Sequence, residues 1–115
     1  MHGIRGRETM KDCHFSHFNI AGFTYYEGAE IFEQLAIGAL LTMRAEPENG
    51  FDPYAVEIYF QKFKLGYIPR NRNQDIHKFL TLGHDDLFVV RINRLSPDEH
   101  PEQQIGVVVK IRAKG

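Results

Sequence analysis

Cysteine is nearly missing from this chain. Cys13 is the only one in 115 residues, so no disulfide can form within it, and a reducing compartment is the simple expectation. Long apolar runs are missing too. None approaches the roughly 18 residues that would suggest a membrane span, and the polar start from Met1 to Asp12 lacks the apolar region of a secretory signal. The cytoplasm is the expected location. An excess of one charge is also absent: 14 Lys and Arg stand against 15 Asp and Glu, for a formal net charge of -1. Overall charge will not draw the chain onto nucleic acid or a membrane, and any such attraction has to come from a local patch. Repeats, low-complexity segments and dividing linkers do not occur. A single domain is expected, with residues 1–12 as a flexible leader and 13–115 as the folded unit.

The apolar pattern is mostly that of strands. His14 to Phe23 alternates, with Phe18, Ile20 and Gly22 on one face and Phe15 and Phe23 on the other. Leu40 to Arg44, Ala55 to Phe60 and Phe63 to Ile68 follow as short strands, the last stopped by Pro69, which cannot donate to a ladder. Glu30 to Ala36 is ambiguous between a helical turn and a loop. From Asn71 to Leu82 the period changes to three and four (Ile76, Phe79, Leu80), which predicts a helix with Asn73 as its cap and Gly83 as its end. Leu87 to Leu95 and Ile105 to Ile111 are again strand-like, separated by the polar, Pro-containing loop from Ser96 to Glu102. The run Val107-Val108-Val109 predicts burial on both faces or at a barrel seam. Six short strands and one or two short helices imply a mostly β fold, a small OB-like or SH3-like six-stranded barrel.

Residues capable of catalysis are present but not in a catalytic pattern. His14 and His17 lie three apart, which on a strand sends them to opposite faces, and no second ligand pair stands at metal-binding spacing. Cys13 adjoins His14, yet neighbours in sequence rarely meet as nucleophile and base, and no third orienting group is evident. His84-Asp85-Asp86 follows a helix end, where a solvated polar turn is the usual explanation. No Gly-rich loop leads into a helix to cradle a nucleotide phosphate. A non-enzyme without metal or cofactor is expected.

A binding surface is better supported. Asn49-Gly50 is a strong turn signal, because both residues tolerate positive φ, and Phe51 and Asp52 follow at once. A second corner, Gly66-Tyr67-Ile68-Pro69-Arg70, lies just beyond the next strand pair. Lys62, Lys64, Arg70, Arg72 and Lys78 share a window whose only acid is Asp75. Tyr25, Tyr26, Phe51, Tyr54 and Tyr67 fall at turns or strand ends, where bases could stack on them for roughly 1–3 kcal/mol each. A solvated basic face, with aromatics closing the ends of a barrel, accounts equally well for the same residues.

One resemblance separates the two readings. The order Gly22-x-x-Tyr25-Tyr26, then Arg44-x-Glu46-Pro47-x-Asn49-x-Phe51-Asp52-x-x-Ala55-Val56, then Lys64-Leu65-Gly66-Tyr67-Ile68-Pro69 resembles the HIRAN domain. It runs from about Phe18 to Gly83, with the tail strand also fitting. The resemblance implies an OB-like module, often fused to DNA-remodelling helicases and sometimes found alone in bacteria. In well-understood eukaryotic members such a module binds single-stranded DNA and captures a free 3′ end. By position, Tyr25 (with Tyr26 beside it) would be a stacking platform. Asn49, Phe51 and Asp52 would form the end pocket, with Asp52 accepting from a 3′-hydroxyl, and Tyr67 and Arg70 would flank it. A carboxylate accepts from a hydroxyl and repels a phosphate, so it can discriminate the chemistry of an end. This chain departs from the DNA-binding members at Thr24, where they carry a basic residue, at Phe51 for tyrosine and at Tyr54 for asparagine.

The expected function is therefore that of a stand-alone, non-catalytic module binding single-stranded DNA or 3′-hydroxyl ends in DNA repair or processing, beside a helicase or nuclease and away from membranes. The alternative is a protein-interaction module using the same aromatic-lined turn.

Overall fold

The structure is a computed structural model that describes residues 11–23, 26 and 30–114. Most of the expected leader lies outside the described residues, as do Thr24 and Tyr25. Among the described residues there are six strands, β1 (Cys13–Asn19), β2 (Thr42–Ala45), β3 (Val56–Phe60), β4 (Phe63–Tyr67), β5 (Phe88–Leu95) and β6 (Ile105–Ile111), and one α-helix, α1 (Gln74–Thr81). Short 3-10 turns occupy Phe32–Gln34, Arg70–Arg72, Asp85–Leu87 and Pro101–Gln103. The fold is mostly β.

The strands form two antiparallel sheets, ordered β1-β6-β5 and β2-β3-β4. Single bridges join them at two corners, Ala21 to Tyr67 and Leu40 to Arg91. At the first corner each backbone N–H donates to the other residue's carbonyl at 2.9 Å. Among the described residues the ladders stop at these bridges, and no closed barrel is found. The chain has to bend as it leaves β1 and enters β2, which interrupts the ladder after one contact. The first corner needs Gly66: its φ is +151°, and a Cβ there would sit 2.3 Å from the Ala21 carbonyl oxygen.

The core lies between the sheets and contains Val56, Ile58, Leu65, Val107 and Val109 with no exposed surface. β6 is the middle strand of its sheet. Val107 and Val109 face the core, and Val108 is half-buried on the other side, which accounts for the unbroken valine run.

Two expectations about local geometry are corrected by the packing. In β1 the register slips between His14 and Ser16, so Phe15 is an extra residue opposite β6. The bulge turns Phe15 toward Phe79 and Phe88, with ring centroids 6.3 and 5.6 Å away. It also brings His14 and His17 to the same side, with Nε2 and Nδ1 3.1 Å apart, rather than to opposite faces. Phe23, expected opposite Phe18, is buried against Phe32 once the strand has ended.

The helix is shorter than its apolar period predicts, because Arg70–Arg72 form a 3-10 turn first. Asn73 occupies the cap position, but its side chain makes no capping bond and instead reaches Asp52. The far end closes as expected. Gly83, at φ +89°, donates to Leu80 O, and His84 donates to Phe79 O, which is a Schellman arrangement.

Candidate nucleic-acid interface

The turn between β2 and β3 is built by one side chain. Asn49 Oδ1 accepts the backbone N–H groups of Phe51 at 2.7 Å and Asp52 at 3.0 Å. Asp52 Oδ1 then accepts the Tyr54 N–H at 2.9 Å. These are Asx-type turns, in which a short polar side chain takes the place of a backbone acceptor. Neither Asn49 nor Gly50 has positive φ, so the Asn-Gly pair makes this turn by hydrogen bonding and not by left-handed backbone. With its backbone held in this way, Phe51 projects its ring outward at 87% exposure.

Asn49 is fixed from behind. Its Nδ2 donates to Glu46 Oε1 at 2.6 Å, and the same oxygen accepts the Tyr67 hydroxyl at 2.7 Å. Lys64 Nζ donates to the Tyr67 oxygen at 2.9 Å and pairs with Glu57 at 3.0 Å. It also lies 4.3 and 4.4 Å from the ring centroids of Tyr26 and Tyr67. The bond from Asn49 is the main reason that the Glu46 carboxyl sits below its usual range, against the opposing effect of burial. Burial by itself would lower the Lys64 pKa, but its bonds to Tyr67 and Glu57 outweigh that and hold it above the usual lysine value. Burial pushes the Tyr67 phenol up to about 12, opposed by the Lys64 ammonium and reinforced by the bond to Glu46.

Asp52 is held from two directions. Asn73 Nδ2 donates to its Oδ2 at 2.8 Å, and Arg70 Nε approaches the same oxygen at 3.8 Å. Arg70 also donates to the Phe51 carbonyl at 2.9 Å, while its side chain stays 72% exposed. An ionised carboxylate offers about four acceptor positions, so a fixed Asp52 keeps capacity for a further donor.

These residues meet at one pocket of about 380 Å³. Tyr26, Asn49, Phe51, Asp52, Tyr67 and Arg70 all line it, together with Ala21, Ile68 and Pro69. Six of the seven residues expected at the site are therefore brought together, and the seventh, Tyr25, lies outside the described residues. Tyr54 turns away and packs edge-on against His77, at 5.6 Å between centroids.

The basic window does not form one patch. Lys64 is inside the network behind the pocket, Lys62 lies over the Phe63 ring, and Lys78 is exposed on α1. Arg70 remains at the pocket's edge, and Arg72 is exposed outside the pocket. Sequence reasoning missed Glu46, Glu57 and Asn73 as supports. The i, i+3 relation of Glu46 and Asn49 was the one available signal. Elsewhere, Cys13 Sγ contacts the His14 carbonyl rather than its ring, and His84 packs against Phe79. Among the described residues no three His, Cys, Asp or Glu side chains are grouped to hold a metal, and no helix is long and apolar enough to cross a membrane.

Among curated proteins nothing matches the sequence. Among solved structures, the chain is similar to the crystal structure of a structural-genomics target protein from Lactobacillus plantarum. The TM-score is 0.74 at 20% identity, over 87% of this chain and 94% of that one. That likeness concerns the fold. The family is shown by sequence: the HIRAN domain model matches residues 14–113, a range that includes both corners of the pocket, and the chain belongs to the HIRAN family.

Proposed function

We propose that this protein is a non-catalytic module that binds single-stranded DNA and seats a 3′-hydroxyl end in the pocket between the two corners. The HIRAN domain is generally a DNA-binding module, and the two sheets would serve as an OB-like scaffold. The observation that carries the reading is the arrangement of Asp52 and Phe51. A carboxylate fixed by Tyr54 and Asn73 stands beside an exposed aromatic ring, with a guanidinium at the rim.

Each part has a distinct task in that reading. Asp52 accepts the terminal hydroxyl and repels a terminal phosphate. Phe51 stacks on a base, and having no hydroxyl it contributes ring surface alone. Arg70, tethered by the Phe51 carbonyl, offers its remaining donors to a backbone phosphate. The half-buried ammonium of Lys64, paired with Glu57, holds Tyr67 from behind the wall and does not contact phosphate. A place in cytoplasmic DNA repair or processing, beside a helicase or nuclease that acts on the same end, is the setting that this activity suits.

The test is fluorescence anisotropy of a short labelled single strand ending in a 3′-hydroxyl or a 3′-phosphate. Wild type should prefer the hydroxyl, and Asp52→Asn, which can keep the bond from Tyr54, should lose the preference. Equal binding of both ends by wild type refutes end recognition. Absence of binding at low salt would turn the exposed ring into evidence for a protein ligand.

A further inference from the structure

The end pocket continues past Pro69. Ala21 and Pro69 line both the pocket and a second groove of about 540 Å³ that lies over the β1-β6-β5 sheet. Among its polar residues are His17 and Asn19 on β1, Asn93 and Arg94 on β5, and Arg72 from the 3-10 turn after Pro69.

The groove has a built lining. β5 carries a bulge between Ile92 and Arg94, opposite Gly106 of β6. The extra residue places Asn93 and Arg94 together on the groove. Gly106 leaves its floor open, since a Cβ there would come within 2.7 Å of Asn93 Oδ1. Arg94 is fixed by neutral partners alone: Nη1 donates to Ser96 Oγ at 2.7 Å and to the Gln103 carbonyl at 2.6 Å, and Nη2 donates to Asn19 Oδ1. Among the described residues the ion pairs are Lys64 with Glu57 and Arg70 with Asp52, so Arg72 and Arg94 have no carboxylate partner. Glu102 is the one acid of the lining, and its Oε2 accepts the Gly22 N–H at 2.8 Å.

We propose that this groove is a second subsite, which takes the phosphodiester backbone of the strand as it leaves the end pocket. The proposal rests on the end-binding reading for the direction of the strand. Two guanidiniums without a carboxylate partner among the described residues, beside side-chain amides on a β floor, suit a repeating anion with neutral stretches between its charges. The shared wall of Ala21 and Pro69 makes pocket and groove a single path. Arg70 and Arg72, on opposite sides of Asn71, meet successive parts of it.

The experiment compares a 3′-hydroxyl dinucleotide with a 3′-hydroxyl decanucleotide over a series of salt concentrations. Variants are Arg72→Gln and Asn93→Glu, both at exposed positions whose side chains hold no part of the fold. Wild type should bind the decanucleotide about tenfold more tightly, with a steeper salt dependence. Both variants should bind the dinucleotide as wild type does and lose most of the gain with length. For Arg72→Gln the slope of log K against log salt should fall by about 0.7, the value for one phosphate on a single strand. Equal affinity for the two lengths, or decanucleotide binding unchanged in both variants, overturns the groove while leaving the end pocket standing. If wild type ignores the end chemistry but the variants still weaken the decanucleotide, the groove stands and the end pocket falls. No binding of either oligonucleotide overturns both.

Discussion

The Tyr67 hydroxyl donates to Glu46 Oε1 at 2.7 Å, across 21 positions of sequence. One wall of the pocket is thereby tied to the turn that forms the other, since the same oxygen accepts Asn49 Nδ2. A single carboxylate thus links the turn that Asn49 builds to the Tyr67 ring that Lys64 also holds.

This arrangement predicts an acid-sensitive site. Glu46 ionises more readily in the fold than in the unfolded chain, where its value is near 4.5. Its contribution to stability is then complete above that value and is lost as pH falls through the lower folded value. Denaturant titrations from neutral pH downward should show Glu46→Gln less stable than wild type near neutrality. The difference should shrink as the solution becomes acidic enough to protonate Glu46 itself.

Alkali should act on the other partner with the opposite sign. The folded Tyr67 pKa, about 12, lies above its unfolded value of 10.0. The stabilisation is complete below the unfolded value and is lost as pH rises through the folded one. Lys64 is raised as well and acts in the same direction at still higher pH. A phenolate absorbance titration of wild type minus Tyr67→Phe should show a step centred near the Tyr67 value. A step near the ordinary tyrosine value would mean that the ring is not held as described.

Phe51→Ala should separate stability from binding. The ring is 87% exposed, so its loss should change unfolding free energy by no more than about 0.5 kcal/mol. Binding of a single strand should weaken by roughly 1–3 kcal/mol if a base stacks there. Thermal melts and anisotropy on the same preparation check both halves.

Gly66→Ala should do the reverse and damage the fold. A Cβ placed 2.3 Å from the Ala21 carbonyl oxygen meets backbone and not a movable side chain. The corner between the sheets has to open, at a cost of about 3 kcal/mol or more by analogy with other overpacked, strained sites. Urea denaturation would measure the loss, and since Ala21 lines the pocket, strand binding should fall with it.

The strands and the helix were legible in the sequence because their periods repeat over several residues, as at Ile76, Phe79 and Leu80. The pocket residues were legible through the family pattern. What could not be read depended on partners far along the chain. The bulge at Phe15 is set by its register against β6, about ninety positions away, and without it His14 and His17 would face apart. Asn73 looked like a helix cap because local rules know nothing of Asp52, which outcompetes that role. Lys64 looked like one charge of a basic patch because its pairing with Glu57 requires the hairpin to have formed.

The bridge between Ala21 and Tyr67 sits on the border of the pocket, joining the chain just past β1 to β4. Whatever lies in the pocket touches both halves of the molecule at one of the two places where the described residues bridge them. Occupancy acts there as a clasp. Free energy released on binding resists parting of the sheets, so amide hydrogens at this corner should exchange more slowly in the bound state than their short ladder would otherwise allow.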